Sequence, residues 1–298
     1  VFNFRSVNPI KSFREYFKLK RWLKEINPQV IHIHQINRLA YWTARAAHQL
    51  HIPILSTSWG SDVLLMPQKN FIFKYIIRKT LERSSIITAN SYEMLRAMRA
   101  IHNNEQKYIW QQYGIENVPE LSEKSNVIFS NRLHEPLYRI DQILIYFSEF
   151  IKDHPHWNLV VAGTGTQTEY LNSLANELNI SSQTNFIGWL DSQENAYWYA
   201  KSKIYISIPE SDGTAISVLE SLANGCLPIL PDLPVTAEWV EDGKTAVIEK
   251  SNQNPLYQAI DLLQTPFAEI NREKIKKFAI RKECGRAYFE LYQKLTKE

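Results

Sequence analysis

Short β-branched runs alternate one for one with segments of helical period along almost the whole chain, and this alternation restricts the fold more than any other feature. The first half reads strand VIHIH, helix LAYWTARAAHQL, strand PILSTSW, helix FIFKYIIRKTLER, strand SIITA, helix SYEMLRAMRA and strand YIWQQYG. A helix between consecutive strands carries the chain back along the sheet, so the strands pair in parallel. The polar stretch ENVPELSEKSN, residues 116–126, interrupts the pattern, which restarts at NVIFSN and runs to TAVIE before closing on helical segments. The expected fold is α/β, with two Rossmann-like parallel-sheet domains in tandem, residues 1–120 and 121–298. The first is expected to lack its opening strand, because it begins on a helix and offers about four strands where a doubly wound sheet usually has more.

Composition narrows the class. A chain of 298 residues with 44% hydrophobic content can build a core for each domain. Its 34 Lys and Arg nearly balance 31 Asp and Glu, so a nucleic-acid partner is not expected. The two cysteines, Cys226 and Cys284, have no neighbouring Cys or His at ligand spacing, and free thiols without a metal are the expectation. No apolar run reaches the roughly 18 residues of a membrane span, and the start lacks a signal-peptide succession; a cytoplasmic location is the reading. The basic, aromatic run at 11–25 fits a helix that covers the sheet or one that makes a peripheral membrane contact.

Chemistry concentrates in IPESDGTAISVLESLANGCLPIL, residues 208–230. In an open parallel sheet the ligand crevice lies beyond the carboxyl ends of the strands, and PESDGT is such a loop. Gly213 allows a tight turn and Thr214 stands where a helix cap is favoured. The amides of Thr214, Ala215 and Ile216 are then expected to face an anionic group such as a phosphate. Glu220 follows Ile216 by four and borders the buried helix face, where a carboxylate needs a partner. A continuous helical rise would put Asp212 and Glu220 roughly 12 Å apart, suited to opposite ends of one extended ligand. As alternatives, Asp212 is an ordinary helix cap and Glu220 a solvated edge residue.

Three further stretches fit the same crevice. Arg132 and Arg139 in SNRLHEPLYRID follow the strand that opens the second domain and are candidates for a two-pronged grip on a diphosphate. Gly163 and Gly165 in VVAGTGTQTEY make a strand-turn-helix loop without the third glycine of a dinucleotide signature. Trp189 and Leu190 end a strand on the same edge, positioned to meet a base. No two aspartates lie two residues apart, so arginines and a helix end are left to neutralise the diphosphate.

These segments, with TSWGSD, NFIGWL and LPVTAEWVEDGKTAVI in the same order, resemble the retaining, nucleotide-sugar-dependent glycosyltransferases of family 4, of GT-B fold. The resemblance runs from about residue 20 to the end. It implies a cleft between the two domains, no resident cofactor, a nucleotide-diphosphate sugar as donor substrate and an envelope glycan or lipid-linked acceptor. Residue by residue it assigns Glu220 to the donor ribose, Asp212 to the transferred sugar, Arg132 to the diphosphate, and Gly60 and Asp62 to a first-domain loop facing the sugar. The chain departs from the pattern in three ways. Asp212 is one methylene shorter than the usual Glu, Trp59 replaces a common His, and the glycine-rich opening strand is not seen. A catalytically silent GT-B-like partner subunit and a GT-B-fold sugar epimerase are the rival readings.

Overall fold

A computed structural model describes residues 9–250 and 253–296. The chain divides into two compact units, residues 1–113 with 282–298, and residues 114–281. The compact units meet at 113/114, a few residues before the division expected at 120/121, and the C-terminal segment groups with the first unit.

In the first unit the elements are α1 (Pro9–Ile26), β1 (Ile31–His34), α2 (Arg38–Gln49), β2 (Ile54–Thr57), α3 (Ser61–Leu64), α4 (Met66–Lys69), α5 (Phe71–Arg83), β3 (Ile86–Ala89), α6 (Tyr92–Ile101) and β4 (Tyr108–Trp110). All strands pair in parallel in the order β1-β2-β3-β4. A sequential order with right-handed crossovers puts every connecting helix on one face. The side chains agree, because strand residues alternate between faces. Ile33 and Ile54 pack under Tyr16, Leu19 and Leu23 of α1 and the alanines of α2, and Ile87 and Ala89 pack under α5 and α6.

The opposite face needs its own cover. Leu55 and Ile86, with Ile109 at their edge, pack against Tyr288 and Leu295 of the C-terminal helix, which spans Arg281–Thr296. Its docking is also polar. His32 bonds the Tyr292 hydroxyl through Nδ1 at 2.7 Å and Thr57 Oγ1 through Nε2 at 2.6 Å.

The second unit holds β5 (Ser125–Ser130), α7 (Ile140–Phe150), β6 (Asn158–Ala162), α8 (Thr168–Glu177), β7 (Thr184–Gly188), α9 (Ser192–Lys201), β8 (Ser202–Ile206), α10 (Ile216–Ala223), β9 (Leu227–Pro231), α11 (Pro234–Trp239), β10 (Val247–Glu249), α12 (Pro255–Leu262) and α13 (Phe267–Phe278); the C-terminal helix is α14. Its six parallel strands run β10-β9-β8-β5-β6-β7. Ile128, Leu159, Val161, Ile204 and Ile229 face one apolar layer beneath α7, α8 and α12. Phe129, Val160 and Tyr205 face the other, beneath α9. Successive strands move one way from β5 and the other way from β8, so the strand order reverses between these two neighbours. Ligands in such sheets bind beyond the strand ends at that reversal.

The segment REKIKKFAIRKECGRAYFELYQKL, which reads as one closing helix, is broken after Phe278. Ile115 N donates to Ala279 O at 2.8 Å and Arg281 N donates to Ile115 O at 2.8 Å, so the segment entering the second unit is paired with the one leaving it. Gly114 lies in that crossing at φ 75°, where a Cβ would meet the backbone of residues 279–281.

Burial lowers the His32 imidazole to about 4, with the nearby His34 adding to the effect. A group depressed in the folded state contributes stability that is whole above its unfolded value, near 6.5, and is lost as the pH falls toward 4. Urea midpoints should therefore drop between pH 7 and pH 5, and the His32→Gln variant should show a shallower drop than the parent; equal slopes would remove His32 from the linkage.

Candidate functional site: a loop edge at the strand reversal

Arg132 follows β5 and Asp212 follows β8, so the two loops at the reversal each supply one charge. Arg132 Nη2 donates to Asp212 Oδ2 at 2.7 Å. Nη1 reaches Ser217 Oγ at 3.3 Å, and the guanidinium lies 4.5 Å above the Tyr138 ring. The residue is only 9% exposed. Burial is the largest single influence and opposes its charge, yet the Asp212 carboxylate together with Tyr205 and Tyr138 holds the guanidinium above its ordinary value. An arginine so enclosed persists because its partner is present.

Helix α10 starts later than the sequence suggests. Its N-cap is Ala215, with no side-chain cap bond, so neither Asp212 nor Thr214 is the cap. Thr214 is buried and its Oγ1 accepts from Trp239 Nε1 at 3.1 Å. Residues 212–215 being non-helical, the spacing estimated from a continuous helix between Asp212 and Glu220 does not apply. The first amides of α10, at Ile216 and Ser217, have no intrahelical acceptor. Beside Asp212 and Gly213 a small recess is walled by Val218, Leu230, Val235 and Trp239.

Glu220 is partly buried. Burial raises its carboxyl above the ordinary range, against the Tyr199 hydroxyl bond and the charge of Arg281. Tyr199 belongs to a network that the sequence reading missed. Asn131 Nδ2 donates to Tyr199 Oη at 2.8 Å and to Asn195 Oδ1 at 2.7 Å, and Tyr205 Oη donates to Asn131 Oδ1 at 3.0 Å. The available signal was the polar Asn131 immediately before Arg132, together with two tyrosines, Tyr199 and Tyr205, in otherwise apolar surroundings.

Arg139 is placed differently from the expectation of a diphosphate ligand. It adopts φ 52° at the N-cap of α7, and its Nη atoms donate to the two carboxylate oxygens of Glu249 at 3.1 and 3.3 Å. Tyr146 Oη also donates to Glu249 Oε1, at 2.7 Å. The two-pronged grip exists, but it holds a buried carboxylate at the end of β10.

Gly163 and Gly165 serve a close approach of two loops. At Gly163, φ 105°, a Cβ would be forced onto Arg132 O, and at Gly165 onto His134 O. The loops are also bonded: His134 N donates to Thr164 O at 3.2 Å, Gln167 N to His134 O at 2.9 Å, and Thr166 N to Glu135 Oε1 at 2.8 Å. The glycine turn thereby fixes the backbone that carries Arg132. Trp189 is 73% exposed after β7, whereas Leu190 packs into the layer with Ile187 and Val218.

In the first unit, Asp62 is 2% exposed. Its carboxylate accepts from Ile36 N at 2.8 Å and from Trp59 N and Gly60 N at 3.0 Å. Burial nevertheless leaves it above its ordinary value. Asp62 therefore holds the loops after β1 and β2 together. Gly60, at φ 126°, is part of that turn, and Trp59 stands 58% exposed upon it.

With this geometry established, comparison with known proteins defines the class. Residues 111–281 match the family model described as glycosyl transferases group 1, and residues 1–91 match glycosyl transferase 4-like. The chain belongs to the group 1 glycosyltransferase family. It is 27% identical over 177 residues to an uncharacterised glycosyltransferase of Haemophilus influenzae, covering 53% of this chain and 49% of that protein. It is 24% identical over 261 residues to an alpha-monoglucosyldiacylglycerol synthase of Streptococcus pneumoniae, covering 78% and 58%. The chain thus spans about half the length of these curated relatives. Anabaena HepE, solved with UDP-glucose, superposes with a TM-score of 0.79 at 12% identity, covering 96% of this chain and 84% of that one. The fold is the GT-B fold of such structures.

The loop packing yields a graded prediction. Gly188 has φ 71° but open space around it, so Gly188→Ala should cost about 1 to 2 kcal/mol for backbone conformation alone. Gly163→Ala should cost about 1 to 3 kcal/mol more, for the added clash. Urea unfolding of both variants checks the order, and equal losses would contradict the loop-to-loop role of Gly163.

Proposed function

We propose that the protein is a retaining glycosyltransferase that takes a sugar from a nucleoside-diphosphate donor, with UDP as the nucleotide, and passes it to an envelope glycan or lipid-linked acceptor. The observation that carries this reading is the Arg132–Asp212 pair at the strand reversal, on the loop edge that also presents α10. Arg132 is the cation for the diphosphate. An anion arriving there takes hydrogen bonds from a guanidinium already fixed by burial, and the amides opening α10 add their partial positive charge. Charge that develops on the leaving diphosphate is then met by preorganised donors, the usual largest contribution in group transfer.

Asp212 stands next to the recess walled by Trp239 and is assigned to the transferred sugar. Glu220, braced by Tyr199, is assigned to the ribose hydroxyls, and exposed Trp189 with Leu190 to the base. The UDP-glucose complex of HepE supports the choice of uracil nucleotide through fold alone. The diacylglycerol synthase relative supports a lipid-type acceptor met at a membrane surface, with residues 11–25 making peripheral contact there.

Two measurements test the donor reading. Glu220→Gln removes a charge-assisted acceptor and should weaken UDP binding by about 1 to 3 kcal/mol in calorimetry; unchanged affinity would take Glu220 out of the site. Donor hydrolysis or transfer should survive a chelator and fail in Arg132→Ala, because the arginine is the cation on the leaving group. Activity that collapses in chelator and returns with manganese would overturn that assignment.

A further inference from the structure

The recess beside Asp212, beyond the carboxyl ends of β8 and β9, is small and apolar. Its floor is Leu230, Val235 and Trp239, all buried, and Val218 and Leu233, both part-exposed, stand at its opening. The space inside is about 30 Å³, enough for a water or a methyl group and far too small for a sugar ring. The polar side chains that line it are committed within the fold. Trp239 Nε1 donates to Thr214 Oγ1 at 3.1 Å and Thr236 Oγ1 donates to Pro231 O at 2.8 Å. Arg132 donates to Ser207 Oγ at 3.5 Å and to Asp212 Oδ2 at 2.7 Å. The first two bonds also tie α11 to the loop that opens α10 and to the end of β9, so the walls are fixed before any ligand arrives.

Such a space selects by polarity. A hydroxyl pushed into it would give up its bonds to solvent and find no replacement, whereas a methyl group gains by burying its surface. Position decides what the methyl belongs to. Asp212 lines the recess and its carboxylate is the partner of Arg132, so a diphosphate held by Arg132 carries its sugar at the mouth of the recess. A plain hexose offers only hydroxyl and hydroxymethyl groups there. An acetamido group offers a better match, because in a planar trans amide the N–H and the carbonyl oxygen point to opposite sides. The N–H therefore lies on the same side as the methyl, and the carbonyl is left toward solvent. A methyl seated in the recess brings the N–H to its rim, where the Asp212 carboxylate is an acceptor.

We propose that the recess receives the methyl of an acetamido group on the transferred sugar while Asp212 accepts the adjacent N–H, which makes the donor a UDP-N-acetylhexosamine and not a plain UDP-hexose. The proposal rests on the reading of this edge as a UDP-sugar site and adds which sugar the site selects.

The test is calorimetry of the full chain with UDP and with two matched pairs, UDP-glucose against UDP-N-acetylglucosamine and UDP-galactose against UDP-N-acetylgalactosamine. A small apolar group in a fitted pocket is worth roughly tenfold to a hundredfold, so in at least one pair the acetamido donor should bind about tenfold more tightly or better. Val218→Leu narrows the recess and Val235→Thr places a hydroxyl inside it. Each should bring that ratio toward one, with urea midpoints showing that both variants are folded. UDP binding with no preference in either pair would overturn the proposal and leave the donor reading standing. A preference that both variants keep in full would overturn the assignment to the recess. Tighter binding of UDP-6-deoxyglucose than of either acetamido donor would also overturn it, in favour of a methyl at the far end of the sugar. A parent chain that binds no UDP compound would sink the donor reading, and this proposal with it.

Discussion

The ion pair between Arg132 and Asp212 organises the second unit's loop edge. A guanidinium at this depth would be strongly destabilising without a carboxylate, and the carboxylate comes from the loop on the other side of the strand reversal. The pair therefore joins the loop after β5 to the loop after β8. Every neighbouring feature bears on keeping Arg132 in place. The Tyr138 ring lies over it, Ser217 takes a second hydrogen bond, and the Gly163–Gly165 turn lets a second backbone press against residues 132–134. A phosphate arriving at this edge would compete with Asp212 for the same guanidinium. Under the proposed function, such competition would couple diphosphate binding to release of the Asp212 carboxylate.

The first unit uses the same principle in a different form. Asp62 is a buried carboxylate satisfied by three backbone N–H groups from two loops, so its charge is spent on holding the loop that displays Trp59. An acid that appears in a motif can thus serve to shape the backbone without touching a ligand. Arg139 makes the complementary point, since its place in the motif suggested an anion from outside while its anion is Glu249, 110 residues away.

Legibility in the sequence follows the range of the interactions. The strand and helix alternation was readable because periodicity is local, and it gave two parallel sheets and the crevice edge. That Arg132 and Asp212 stand on loops after strand ends, and that Glu220 borders the buried face of its helix, was readable from the same local pattern. What failed were partners set by tertiary contact: the true start of α10, where Thr214 bonds Trp239 in place of capping; the Asn131–Tyr199–Asn195 network; and the ownership of residues 282–298. No local pattern records that Tyr292 will meet His32.

That last contact links the order of the chain to its stability. With every connecting helix on one face, the sheet of the first unit has Leu55, Ile86 and Thr88 bare on the other until α14 arrives. Those residues precede the whole second unit in the sequence, whereas α14 follows it. The chain leaves the second unit beside the point at which it entered, held by the Ile115 and Ile280 pairing. Once the second unit has folded, that pairing brings the start of α14 next to Gly114, the residue that follows the first unit's own segment. The cost of closing a loop of some 170 residues is thereby met by the second unit's folding, and α14 has only to lie down on the face that awaits it.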